Sequence, residues 1–72
     1  MKKIVKVENL DCANCAAKLE RALNRIGGVS VNINFMAQKM ALECEDGRYA
    51  SLAEEIRAVA ARVEPECVFK GL

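Results

Sequence analysis

Hydrophobic and polar residues alternate in four stretches of the chain, and such period-2 patterns predict β-strands. The alternation is clearest from Val29 to Phe35, and similar patterns run over residues 3–8, 39–45 and 66–70. Two further stretches repeat apolar residues every three or four positions, which is typical of a helix with one buried face. Their apolar positions are Leu19, Ala22, Leu23 and Ile26 in the first stretch, and Leu52, Ile56, Val59, Ala60 and Val63 in the second.

Capping and breaking residues suggest where the two helices begin and end. The first helix is predicted from about Cys15 to the glycine pair at 27–28, because glycine readily takes the left-handed conformation that ends helices. Ser51, with Glu54 three residues later, resembles a capping box at the start of the second helix, and Pro65 ends it. The order strand, helix, strand, strand, helix, strand predicts an α+β, ferredoxin-like βαββαβ fold. In that fold, two helices cover one face of a four-stranded antiparallel sheet.

The composition sets limits on the class of protein. The 72 residues are enough for one domain, expected over 1–72, and the 53% hydrophobic content is sufficient for a core. Eleven basic and ten acidic residues give a net charge of +1, which argues against nucleic-acid binding. No apolar run approaches the roughly 20 residues that span a bilayer, and no signal peptide is recognisable. We therefore expect a soluble, cytoplasmic monomer without direct membrane insertion, either free or as part of a larger protein.

Cys12 and Cys15 are the strongest candidates for chemistry. Two thiols separated by two residues can converge on one ion when the first lies in a loop and the second opens a helix. The helix N-terminus lowers thiol pKa and favours the thiolate, the form that binds soft or borderline metals. Redox proteins share the CxxC motif, so a dithiol oxidoreductase is an alternative, although the chain is short and has no Trp or Gly-Pro beside the pair. Without His or a visible nucleophile–base pair, we expect no enzyme activity from the isolated domain.

Asp11 immediately precedes this pair and bears on the choice of metal. Zn(II) accepts mixed sulfur and oxygen ligands, whereas Cu(I) prefers sulfur alone. A carboxylate therefore favours a divalent ion such as Zn(II), Cd(II) or Pb(II), with Cu(I) as the alternative. Asp11 could instead cap the first helix, with or without a metal role.

These residues resemble a known family, the heavy-metal-associated domain. The resemblance covers essentially the whole chain and is carried by the segment Asp11–Glu20 and by the Gly-Gly-Val at 27–29. Members occur as free metallochaperones and as N-terminal domains of metal-transporting P-type ATPases. The resemblance implies metal ligands at Cys12 and Cys15, with Asp11 as a third.

The residues before Cys12 depart from the copper members of that family, which usually carry Gly-Met-Thr there. This chain has Asn9, Leu10 and Asp11, and an Asp before the first Cys resembles the zinc, cadmium and lead branch of the ATPases. With Asn9 in place of the usual Gly, either the loop backbone differs slightly or Asn takes the same positive φ. We expect Leu10 to pack into the core as the usual Met does. The implied function is to bind a divalent ion and to deliver it to, or regulate, a metal-efflux ATPase in the same chain or another. The alternative is a copper(I) metallochaperone or copper-ATPase domain.

Other cysteines and carboxylates are weaker candidates. In this fold Glu64, Glu66 and Cys67 are expected near the CxxC loop, where one of them could supply a further ligand. Ordinary solvated charge for the two carboxylates and core packing for Cys67 are the alternatives. Cys44 is expected to lie at the far end of the third strand, away from the site, with a packing role.

Overall fold

The structure is a computed structural model that describes residues 1–72, and its element order is the predicted one. Four strands and two helices follow each other along the chain, with a single 3-10 turn at 46–48 before the second helix. Their bounds are β1 Lys2–Glu8, α1 Ala13–Asn24, β2 Val29–Asn34, β3 Lys39–Cys44, α2 Tyr49–Val63 and β4 Val68–Lys70. No helix combines the length and apolar character needed to cross a bilayer.

The four strands form one antiparallel sheet in the order β2-β3-β1-β4, which confirms the ferredoxin-like prediction. Buried and exposed residues alternate along β1 to β3, so that one face of the sheet is covered and the other is open. Both helices contribute buried residues to the same core as the covered face. The fold therefore follows from the two hydrophobic periods in the sequence.

The core is built from aliphatic side chains, Met and Ala. Every residue that is buried is apolar, and no buried polar side-chain atom lacks a partner. Burying one Leu, Ile, Val or Met side chain contributes roughly 1.5–3 kcal/mol, and eight such side chains are fully buried. They are Leu19, Leu23, Met40, Leu42, Leu52, Ile56, Val5 and Val7.

The first helix begins earlier than the sequence pattern suggested. It starts at Ala13, and Cys12 is its N-cap, with the Cys12 Sγ accepting a hydrogen bond from the Cys15 amide. The alternative considered for Asp11, that it caps this helix, is therefore wrong, because the thiol one residue later satisfies the free N–H group. Cys15 lies within the first turn rather than at its start.

The second helix and the last strand also differ from the predicted bounds. Helix α2 continues from the 3-10 turn and starts at Tyr49, after an N-cap, Arg48, whose side chain makes no capping bond. Ser51 is thus inside the helix, where its hydroxyl lies 3.4 Å from the Arg48 carbonyl oxygen. The predicted Ser51 capping box is wrong, because the preceding turn already directs the chain into the helix. Strand β4 begins at Val68, two residues later than predicted.

Side chains of α1 cover the outer edge of β2. The Asn24 side chain donates to the Val31 carbonyl oxygen and accepts from the Val31 amide, both at 2.9 Å. The Glu20 carboxylate accepts from the Ile33 amide at 2.7 Å. Together these two side chains satisfy backbone groups of Val31 and Ile33 that an edge strand would leave open.

Candidate metal centre

The loop between β1 and α1 carries the CxxC motif, and three features hold it in place. Asn9 has a φ of 64°, so of the two alternatives it takes the positive φ of the usual Gly. Leu10 is only 3% exposed, which confirms its place in the core. The Gln38 side chain donates to the Leu10 carbonyl oxygen at 3.1 Å, while the Gln38 carbonyl accepts from the Val7 amide at 2.9 Å. Gln38 was not recognised from the sequence, because no periodicity distinguishes a turn residue with this role.

The two thiols of the motif face each other at the start of α1. The Cys12 and Cys15 sulfurs lie 2.7 Å apart and share one hydrogen bond. The Cys15 amide also donates to the Cys12 sulfur at 3.1 Å. Both cysteines are free and half-buried, so they form a pair of thiols that remains accessible from solvent.

This arrangement separates the acidities of the two thiols. Hydrogen bonds from the Cys15 thiol and from the Cys15 and Asn14 amides lower the pKa of Cys12 against the opposing effect of burial. The same thiol–thiol bond raises the pKa of Cys15 to about 11, with burial and the negative charges of Cys12 and Glu64 acting in the same direction. Cys12 is therefore the thiol that loses its proton more readily, and Cys15 is the one that keeps its proton.

Carboxylates gather on one side of the pair, as the fold had led us to expect. A cleft of about 260 Å³ is lined by Asn9, Asp11, Glu64, Pro65, Glu66 and Cys67. Burial raises the pKa of the Cys67 thiol first, and the charges of Glu64, Asp11 and Glu66 raise it further. Cys67 is half-buried and packs against the core, which supports the packing role considered for it.

The predicted site residues are not all brought together. Cys12 and Cys15 are in contact, whereas Asp11 lies in the neighbouring cleft with Cys67. No three Cys, Asp or Glu side chains are grouped closely enough to hold a metal ion. Cys44 lies at the opposite end of the sheet, where its amide and carbonyl bond to Met1, so its expected distance from the site is confirmed.

Known proteins resemble the chain in sequence and in fold. The chain matches the family model described as Heavy-metal-associated domain over residues 4–70. It is 38% identical over 60 residues to the cadmium, zinc and cobalt-transporting ATPase of Helicobacter pylori. That alignment covers 82% of this chain but only 8% of the ATPase, so the chain spans a small part of this relative.

Solved structures show the same fold at lower identity. The CopZ metallochaperone superposes with a TM-score of 0.74 at 23% identity, covering 96% of this chain and 98% of CopZ. The N-terminal domain of ZntA in its Zn(II) form superposes with a TM-score of 0.70, also at 23% identity, covering 96% and 88%. At these identities the structural similarity establishes the fold and does not identify an ion.

Proposed function

Because the chain belongs to the heavy-metal-associated domain family, we propose that it binds Zn(II), Cd(II) or Pb(II) through Cys12 and Cys15 and passes the ion to, or regulates, a metal-efflux P-type ATPase. The observation that carries this proposal is the thiol pair at the start of α1. One sulfur is held as a hydrogen-bond acceptor by backbone N–H groups, and the other is in contact with it. Two such sulfurs are soft ligands for heavy-metal ions.

Metal binding through both sulfurs requires a small rearrangement. Two thiolates on tetrahedral Zn(II), with Zn–S bonds of about 2.3 Å, lie about 3.8 Å apart. The two sulfurs are in contact in the free pair, so they must move apart to admit the ion. The incoming ion replaces the shared proton, and the Cys15 amide can continue to stabilise the Cys12 thiolate.

The negative surroundings of the pair support a divalent ion. Asp11 precedes Cys12, and Glu64 acts on Cys15 through its charge. Two thiolates and two nearby carboxylates favour a +2 ion over a +1 ion by simple Coulomb attraction. We assign Asp11 as the third ligand, reached by a change of its side-chain rotamer from the cleft toward the sulfurs.

The alternative ion, Cu(I), is favoured by one specific observation. The thiol pair has no third Cys, Asp or Glu grouped with it, and Cu(I) needs only a small number of sulfur ligands. In that case the domain would act as a copper(I) metallochaperone or copper-ATPase domain. Asp11 would then be a bystander in the cleft.

A competition experiment with matched variants separates these two possibilities. Asp11→Asn and Glu55→Gln each remove one negative charge, but Glu55 is exposed on α2 and outside the site. We expect Asp11→Asn to weaken Zn(II) binding by at least about tenfold while leaving Cu(I) binding nearly unchanged. Glu55→Gln should change neither affinity, and Cys12→Ser should abolish both. Equal effects of Asp11→Asn and Glu55→Gln on Zn(II) would remove Asp11 from the ligand set and favour copper.

Transfer to an ATPase is the role that suits this open site. A half-buried pair of sulfurs can exchange ligands one at a time with sulfurs of a partner, so that the ion is not released free. The similarity to one segment of a cadmium, zinc and cobalt-transporting ATPase supports such a partner. We place this exchange in the cytoplasm and assign the domain a binding role without catalysis of its own.

A further inference from the structure

The open face of the sheet carries three lysines side by side. Lys6 on β1 pairs directly with Lys39 on β3 in one direction and with Lys70 on β4 in the other. Neighbouring strands lie about 4.8 Å apart, so the three side chains leave the backbone within a span of about 10 Å. All three residues are exposed.

These charges are only partly compensated. Glu8 is the one carboxylate that bridges the row, at 3.8 Å from the Lys6 Nζ and 3.7 Å from the Lys70 Nζ. Lys39 has no ion pair. Like charges directly opposite each other on adjacent strands are unfavourable, so the row works against the stability of the sheet. Protection of a sheet edge would explain Lys70 on β4, but Lys6 and Lys39 lie on inner strands.

Apolar side chains border the row on the same open face. Ile4 is 56% exposed and pairs with Ala41, and Val68 is 42% exposed beside Glu8. Both helices contribute to the core on the other face, so nothing in the chain covers these residues. The open face therefore presents a row of lysines with an exposed apolar side chain on each side of it.

We propose that this lysine face, defined as Ile4, Lys6, Lys39, Ala41, Val68 and Lys70, is a docking surface for an acidic segment of a partner protein. Carboxylates of the partner replace the missing counter-ions, and its apolar side chains cover Ile4 and Val68. A phosphate-rich polyanion fits less well, because the face has no arginine fork and such a polyanion has no apolar side chains to cover Ile4 and Val68. The inference does not depend on which metal the thiols bind.

The interaction can be measured with an isotope-labelled sample of the chain and a ten-residue peptide made of glutamates and two leucines. We expect backbone amide shifts on β1, β3 and β4, which weaken as salt rises from about 20 to about 200 mM. The triple variant Lys6→Gln, Lys39→Gln, Lys70→Gln should raise the Kd by about tenfold. A control triple variant removes equal charge from the helices and should change Kd by less than about twofold. Its substitutions are Arg25→Gln, Arg57→Gln and Arg62→Gln.

Equal weakening of peptide binding in both triple variants would overturn the proposal, and so would amide shifts confined to the helices. The proposal would also fail if the chain did not respond to the peptide but bound vesicles of phosphatidylcholine and phosphatidylglycerol. The single variant Lys39→Gln is a second test, because Lys39 forms no ion pair that the substitution could break. It should raise the urea midpoint by relieving repulsion while it weakens peptide binding. An unchanged peptide Kd in a folded Lys39→Gln variant would also contradict the proposal.

Discussion

Gln38 and Leu10 are 28 positions apart in the chain, yet one hydrogen bond of 3.1 Å joins the side-chain amide of Gln38 to the backbone carbonyl of Leu10. The bond ties the turn between β2 and β3 to the loop that leads into Cys12. Gln38 itself has a φ of 55°, in the left-handed region that is unfavourable for residues with a side chain. Gln38 therefore combines an unfavourable backbone conformation with a hydrogen bond to the loop that carries the CxxC motif.

Two substitutions at Gln38 separate the bond from the backbone strain. Both Gln38→Ala and Gln38→Gly remove the bond to Leu10, but only the glycine relieves the unfavourable φ, so it should be the more stable by about 1 kcal/mol. We expect both variants to show faster hydrogen exchange in the loop and faster metal release. Stopped-flow chelation and urea denaturation measure the two properties. If the rate of metal release follows the free energy of unfolding, and not the loss of the bond to Leu10, Gln38 has no positioning role.

The unequal acidities of the thiols predict an order of chemical modification. Because the pKa of Cys12 is lowered and that of Cys15 is raised to about 11, an alkylating reagent near pH 8 should modify Cys12 first. Cys15→Ala removes the largest cause of the lowered pKa and should slow the alkylation of Cys12. Cys44→Ala, at the other end of the sheet, is the control and should leave the rate unchanged. Peptide mapping by mass spectrometry gives both rates, and faster labelling of Cys15 would refute this assignment.

Metal binding through both sulfurs must release protons, and metal affinity is therefore expected to rise with pH. Cys15, with a pKa of about 11, is protonated at neutral pH, so each bound ion displaces its proton. Affinity should therefore rise with pH by at least about tenfold per unit over the neutral range. Glu64→Gln removes a charge that raises the pKa of Cys15 and should shift this curve to lower pH. Calorimetry in two buffers of different ionisation enthalpy counts the protons; release of none would exclude Cys15 as a ligand.

The edge contacts of Asn24 predict a measurable share of the stability. Asn24→Ala removes the bonds to both backbone groups of Val31 and should lower the free energy of unfolding by about 1–2 kcal/mol. Asn32→Ala is the matched control, because Asn32 is exposed on the same strand and its side chain makes no hydrogen bond; it should cost less than about 0.5 kcal/mol. Urea denaturation of the metal-free domain gives both values. Equal losses would mean that the edge contacts contribute nothing specific.

The order of elements and the buried face were predictable from the sequence because the two hydrophobic periods are regular. Helix ends were less predictable, since they depend on which group reaches a free backbone N–H. At α1 that group is the Cys12 sulfur, not the oxygen of Asp11 that sequence preference favours. At α2 the preceding turn starts the helix at Tyr49 and leaves Ser51 inside it.

The thiol pair of the candidate site was predictable from the sequence, whereas the contacts that position its loop were not. Spacing identified Cys12 and Cys15, and topology placed Glu64 on the correct side of them. The role of Gln38 depends on a contact across 28 positions and on a left-handed backbone, neither of which a sequence pattern records. The third-ligand role of Asp11 stays a prediction, because it depends on a side-chain rotation that accompanies the arrival of an ion.

The covered edge of β2 has a consequence for chains that contain several domains in tandem. Neighbouring copies are held at high local concentration, where an open edge strand of one sheet can pair with a strand of the next. With Asn24 and Glu20 occupying both backbone groups of Val31 and the amide of Ile33, the freer edge for an added strand is β4, which is three residues long. A short edge offers few bonds to an intruding strand. The α1 side chains thus favour separate folding of each copy over sheet fusion.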